Sequence, residues 1–157
     1  MNKVFYSNHE DRILLDAVNK LPRPIVFTNG VFDILHIGHI KYLQESKRYG
    51  SSLIVGVNSD KSVKLLNKGP ERPINPEKQR AEIITSLKMV DLCIIFNESN
   101  PLNLIKLIIP DIYTKGKDYN LKAIQYSQKL KEMKIKINFI PLVEGVSSTN
   151  IINKLKN

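Results

Sequence analysis

Residues 25–39 read IVFTNGVFDILHIGH. Ile25, Val26 and Phe27 open a short apolar strand, and Thr28, Asn29 and Gly30 end it in polar residues and a glycine. Helical spacing takes over at Gly38 and runs to Tyr49, closing at Gly50. A strand that passes straight into a helix is half of a βαβ unit, and the rest of the chain repeats that alternation.

Residues 8–20, with Asn8 as a possible cap, form a helix that LPRP stops. SLIVGV is the next strand, and residues 61–75, rich in Lys, Gly and Pro, form a loop with one short helix. A helix spans residues 76–88 and starts with proline in its first turn. DLCIIF, DIYT and KINFIPL are strands, separated by helices in PLNLIKLI and over 121–134, and SSTNIINKLK is a terminal helix. Short apolar runs alternating with helices predict one doubly wound, Rossmann-like α/β domain over 1–157 with a five-stranded parallel sheet, its core about 24–155. Nearly every strand is followed by polar residues (TNG, NSD, NES, TKGKD), where ligands of open parallel sheets bind.

The chain of 157 residues carries a net charge of +9, with lysines outnumbering arginines and spread along its length. Scattered, arginine-poor charge does not by itself predict a nucleic-acid partner, and it suits a polyanionic small substrate equally well. No signal peptide or membrane span is legible, which places the chain in the cytoplasm away from membranes. Cys93 is the single cysteine and lies inside a strand, so it reads as packing.

His36 and His39 flank Gly38 three positions apart, on one face of the opening helix turn. Free N–H groups and the positive dipole end of that turn favour phosphate, and two imidazoles beside it donate hydrogen bonds to phosphate oxygens. Gly38 permits close backbone approach, and Gly30 a tight turn. Zinc would need a third ligand, and His9 is the only other histidine. Neither a P-loop nor a Gly-x-Gly-x-x-Gly stretch is present. These residues alone leave surface polarity, half a metal site and phosphoryl or nucleotidyl transfer all open.

GVFDILHIGH resembles the G-x-F-D-x-x-H-x-G-H motif of the cytidylyltransferase-like nucleotidyltransferase superfamily. VEGVSSTNII, residues 143–152, resembles that superfamily's Ile-Ser-Ser-Thr segment at the start of the last helix. Within the superfamily, VNSDKSVKLLNKGPERPINPEKQRAEII, IPDIYTKGKDY and PLVEGVSSTNII resemble the heptose 1-phosphate adenylyltransferases. Lys117 stands where that family carries a second glycine, and residues 119–134 form a shorter segment than is usual there.

The resemblance implies transfer of AMP from ATP to a sugar 1-phosphate, releasing pyrophosphate and giving an ADP-heptose for lipopolysaccharide. Mg²⁺ would bind through phosphate oxygens, and the enzyme would be a homodimer without nucleic-acid partner. His36, His39, Lys68 and Arg80 would be catalytic. Thr28, Asn29, Gly30, Phe32, Asp33, Gly38, Lys115, Gly116, Asp118, Ser147, Ser148 and Thr149 would bind the nucleotide. Asn58, Asp60 and Lys64 would hold the acceptor, and Asp33 would order its loop rather than act as a base. Two other readings are a cytidylyltransferase acting on glycerol 3-phosphate or a similar phosphorylated alcohol, and a tRNA-binding module.

Overall fold

A computed structural model describes residues 3–7 and 12–156. The strands are β1 (Val4–Tyr6), β2 (Ile25–Gly30), β3 (Ser52–Asn58), β4 (Leu92–Phe96), β5 (Ile112–Gly116) and β6 (Lys136–Ile140). The helices are α1 (Arg12–Asn19), α2 (Ile37–Lys47), α3 (Asp60–Leu65), α4 (Glu77–Thr85), α5 (Leu102–Ile108), α6 (Ser127–Glu132) and α7 (Ser148–Lys156). Asn8 and His9 lie outside the described residues.

All strand pairs are parallel, in the order β1-β4-β3-β2-β5-β6. The sheet therefore has six strands rather than the expected five. The additional one is β1, which pairs Val4 with Cys93 at the edge. Three residues are too few to display a period of two, so the sequence pattern does not reveal it.

From β2 the chain builds β3 and β4 to one side, then crosses to build β5 and β6 on the other. The order therefore reverses between β2 and β5, and a crevice opens beyond their carboxyl ends. The residues after β2 are those of the HIGH stretch.

The strands are almost wholly apolar because both faces are covered. Along β4, Leu92, Ile94 and Phe96 face one core with Leu14 of α1, Ile105 of α5 and Leu130 of α6. Cys93 and Ile95 face the other, with Leu43 of α2 and Ile84 of α4. This alternation is the pleat of the strand. It confirms Cys93 as a packing residue, whose thiol burial pushes well above its usual range.

Two of the differences from the expected boundaries lie between residues 115 and 134. β5 continues to Gly116, because Lys115 and Gly116 still pair with Phe139 and Ile140. The helix expected over 121–134 shrinks to α6. Asn120 accepts the N–H of Ala123 through both its side chain and its backbone carbonyl, so a turn competes with the helix there. Ile124, nearly fully buried, pins that turn to the core.

α2 is held to the sheet chiefly by Leu43 and Tyr42. Its end is tight: a Cβ on Gly50 would lie 2.4 Å from the carbonyl oxygen of Pro24. Leu43 has no exposed surface. Leu43→Ala should therefore cost about 2–5 kcal/mol, read as a lower urea midpoint with unchanged slope.

Candidate active site

The sequence between β2 and α2 has little conformational freedom. Phe32 takes a left-handed backbone (φ 50°), which a bulky residue adopts only when its surroundings hold it there. Its ring packs over Gly30, where a Cβ would lie 3.0 Å from a ring carbon. The same ring meets that of His39 edge-on at 5.2 Å.

His36 is the N-cap of α2, in extended conformation (φ −142°, ψ 172°). Its Nδ1 accepts the N–H of Gly38 at 3.1 Å. The Nδ1 of His39 in turn accepts the N–H of His36 at 3.4 Å. The pair thus forms a reciprocal cap in which imidazoles replace the usual hydroxyl and carboxylate. With each Nδ1 used as an acceptor, each neutral ring carries its proton on Nε2, an N–H donor. The rings stack at 3.8 Å, 24° from parallel. Burial lowers the pKa of His36. Burial, with His36 and Lys68 nearby, takes His39 down to about 4. Gly38 is required sterically, since a Cβ would lie 2.9 Å from the His36 ring.

Asp33 is buried and receives a set of donors from the segment between α3 and α4. Arg72 Nε donates to Oδ2 at 2.5 Å, and the N–H groups of Ile74 and Asn75 donate to the carboxylate at 2.9 Å. The side chain of Asn75 donates back to the Asp33 carbonyl at 2.6 Å. Burial alone would raise the pKa of Asp33, but the backbone donors and Arg72 outweigh it and hold the carboxyl below its usual range.

These elements enclose a cavity of about 340 Å³. It takes one wall from the β2–α2 stretch, a second from Lys68 and Arg72, a third from Lys115, Gly116 and Asp118, and a fourth from Val143 to Thr149. Lys68 is lowered in pKa by burial and by Arg72. Lys115 is lowered to about 8 by burial, against the pull of Asp118, and its ammonium lies 4.8 Å from the Tyr119 ring centre. Two partly desolvated ammonium groups on one cavity favour an anion there. At the start of α7, Ser147 Oγ accepts the N–H of Asn150 at 3.0 Å, and Ser148 Oγ donates to the carbonyl of Ile34 at 2.9 Å.

Most of the expected site residues meet here: Asn29, Gly30, Phe32, Asp33, His36, Gly38, His39, Lys68, Lys115, Gly116, Asp118, Ser147, Ser148 and Thr149. Asn58 instead lines a second cavity of about 480 Å³, which shares Asn29, Gly30, Val31, Lys68, Lys115 and Tyr119 with the first. Four expected residues reach neither wall. Thr28 is fully buried beneath the site, its hydroxyl bonded to Tyr42 at 2.7 Å and to the Thr114 carbonyl at 3.1 Å. Arg80 is buried too, its guanidinium donating to the carbonyls of Val31 and Asn75 and to Asp60, at 2.6, 2.8 and 2.7 Å. Asp60 is thereby committed to Arg80, and Lys64 is exposed on α3.

Sequence reasoning assigned no role to Arg72, Tyr119 and Tyr42 on the first cavity or to Tyr126 on the second. Arg72 carried a faint signal, as one of few arginines in a lysine-rich chain. Among the described residues, no cluster of three or more His, Cys, Asp or Glu is suited to a metal ion. No helix among them is long and apolar enough to cross a membrane.

Residues 27–154 match the cytidylyltransferase-like family. The bifunctional protein HldE of Campylobacter fetus is 50% identical over 139 residues, covering 88% of this chain and 29% of that protein. HldE of Nitratiruptor sp. is 48% identical over 148 residues, covering 94% and 31%. The chain thus spans about a third of the length of these relatives. Among solved structures, the lipopolysaccharide core biosynthesis protein of Thermoplasma volcanium is 35% identical with a TM-score of 0.64, over 76% of this chain and 95% of that one. A pantothenate synthetase from Thermus thermophilus, 18% identical with a TM-score of 0.66 over 94% of this chain and 67% of that one, shares the fold.

The Asp33 interaction gives a pH-dependent expectation. Because its folded pKa is depressed, its stabilisation is fully present above the ordinary carboxylate range and is lost as pH falls through the depressed value. Asp33→Asn should cost about 1.5–3 kcal/mol at pH 7, and the gap from the parent should narrow below about pH 4, measured by denaturant titration at both pH values.

Proposed function

Because the chain belongs to the cytidylyltransferase-like family, we propose that it transfers AMP from ATP to a sugar 1-phosphate, releasing pyrophosphate. The observation that carries this reading is the stacked imidazole pair, with both Nε2–H groups available, at the N-terminus of α2 in a cation-lined cavity. The names of the relatives, HldE and a lipopolysaccharide core biosynthesis protein, favour D-glycero-D-manno-heptose 1-phosphate as acceptor and ADP-heptose as product. We extend the reading to a homodimer by family resemblance.

In this reading an oxygen of the acceptor phosphate attacks the α-phosphate in line, and the bond to the pyrophosphate leaving group breaks. The acceptor is already ionised, so the chemistry needs positioning and charge stabilisation rather than a base. His36 and His39 donate from Nε2 to oxygens that gain negative charge in the transition state. Neutral rings suit that task, since they bind the triphosphate without holding it as tightly as two full charges would. Lys68 and Lys115 supply the charge, and the start of α7 supplies hydroxyls and N–H groups for the outer phosphates. Lys115, Gly116 and Asp118 line the base and ribose pocket.

Asp33 is consumed by Arg72 and the backbone, which leaves Asp118, near Lys115 and Lys68 but without a hydrogen-bonded partner among the described residues, as the other carboxylate in the first cavity's wall. Mg²⁺ would be held mainly through phosphate oxygens with few protein ligands, Asp118 being a carboxylate of the first cavity that could take part. Bound there, the ion would neutralise charge on the phosphates. Arg80 acts from beneath, fixing the carbonyls of Val31 and Asn75 on either side of the Asp33 loop.

Pyrophosphate release with Mg²⁺ tests the reading, with ATP, CTP and GTP each offered against heptose 1-phosphate and glycerol 3-phosphate. Turnover is expected with ATP and the heptose. His36→Ala or His39→Ala should lower kcat about 10²–10³-fold, with the thermal midpoint lowered by about 2–4 °C as the α2 cap is lost. Turnover only with CTP would keep the mechanism and replace both substrates.

A further inference from the structure

The second cavity differs chemically from the first. Away from the wall it shares with the first cavity its lining is uncharged, with Ser99, Asn100 and Gln125 at an exposed rim and Asn58 and Tyr126 further in, whereas its cations, Lys68 and Lys115, stand at the shared wall. Several of these groups retain hydrogen-bonding capacity. Gln125 and Ser99 have no side-chain partner among the described residues, and Asn100 uses only its oxygen, for the N–H of Leu102 at 3.0 Å. An uncharged cavity that sets amides and hydroxyls among a few apolar side chains such as Leu66 and Ile124, and ends in two cations, fits a polyhydroxylated body with one anionic end.

Asn29 stands on the shared wall, and its amide is oriented from behind. Tyr113, fully buried on β5 and stacked on Phe27, donates its hydroxyl proton to Asn29 Oδ1 at 2.7 Å. That proton is spent, so the Tyr126 hydroxyl, 2.7 Å from that of Tyr113, must donate to it. Burial keeps both phenols protonated, raising Tyr126 to about 12 and Tyr113 well above its usual value. With Oδ1 occupied, Asn29 presents its NH₂ group to the cavities. That group has no partner among the described residues, where no side-chain nitrogen or oxygen is buried without one.

We propose that the second cavity is the acceptor subsite, and that Tyr126 and Tyr113 fix the Asn29 amide as hydrogen-bond donor to the acceptor phosphate at the shared wall. This rests on the reaction assigned above. It gives the acceptor one orientation: hydroxyls towards Asn100 and Gln125, phosphate between Lys68, Lys115 and Asn29, facing the α-phosphate across the wall. Without the Tyr113 hydroxyl the amide is free to turn its oxygen towards the anion, which repels it. Tyr113 and Tyr126 are therefore positioning residues, and Asn29 is the group in contact.

Steady-state kinetics with each substrate varied in turn tests this, on the parent, Gln125→Ala, Tyr113→Phe, Tyr126→Phe, Asn29→Ala and the Tyr113→Phe/Asn29→Ala double variant. Gln125→Ala should raise the acceptor KM about tenfold and leave the ATP KM within about twofold. Tyr113→Phe should lower kcat/KM for the acceptor about tenfold, with Tyr126→Phe weaker in the same direction. In the Asn29→Ala background, Tyr113→Phe should add nothing, because the amide it orients is gone. Equal movement of both KM values in Gln125→Ala, or of neither, would overturn the proposal. So would a Tyr113→Phe penalty that persists without Asn29, since that is the mark of a merely structural hydroxyl. Should Tyr113→Phe fail to fold, Tyr126→Phe on the two Asn29 backgrounds decides the same point. A parent that turns over no acceptor would overturn the assigned reaction and this subsite with it, whereas an active parent with additive variants would overturn the subsite alone.

Discussion

The Asp33 carboxylate takes Arg72 and two backbone N–H groups at once, and much of the cavity is placed through it. A buried carboxylate left without donors would cost several kcal/mol, so the segment between α3 and α4 has a strong reason to fold back across the β2 exit. That fold-back carries Lys68 and Arg72 to the cavity wall. It also presents the Asn75 carbonyl to Arg80, whose other contacts reach Val31 and Asp60. One acidic side chain thereby joins the loop after β2, the long crossover and α4 into a single frame.

Charge inside that frame is arranged for a guest. Two neutral imidazoles, two lysines with lowered pKa values and a helix start all face the same space, and of the two carboxylates in its wall Asp33 is already neutralised by its donors while Asp118 lies near the lysines. Such a cavity keeps an excess of positive charge and suits an anion. Beneath it, Thr28, Tyr42, Thr114 and Ser46 satisfy one another across β2, β5 and α2, so the floor has no polar atom competing for the ligand.

Legibility in the sequence followed the range of the forces involved. The parallel α/β class and the strands β2 to β6 were readable, because two-sided burial writes itself as apolar runs. β1 was not, since an edge strand of three residues owes its existence to the groove beside β4. The HIGH cap and the terminal Ser/Thr cluster were readable because each is local, a helix start with its own ligands. Thr28 and Arg80 are instead sited by partners 14 to 86 and 5 to 49 residues away, so spacing could not show that they serve the scaffold. Tyr113 lies inside β5 and Tyr126 just before α6, and both pack against the core; only their hydroxyls, seen in three dimensions, connect them to Asn29.

α7 supplies the wall at Ser148 and Thr149, yet none of its residues is buried. It is fastened to the rest by few polar links, Ser148 to Ile34 across 114 residues of chain and the exposed pair of Lys156 with Glu71. An exposed ion pair contributes roughly 0–1 kcal/mol, and a single neutral hydrogen bond about as much. Detachment of this helix therefore lies near the bottom of the ladder of local openings, far below loss of the sheet. The part of the enclosure that is easiest to lift away is thus the wall at Ser148 and Thr149, and a ligand leaving the first cavity has its exit on that side.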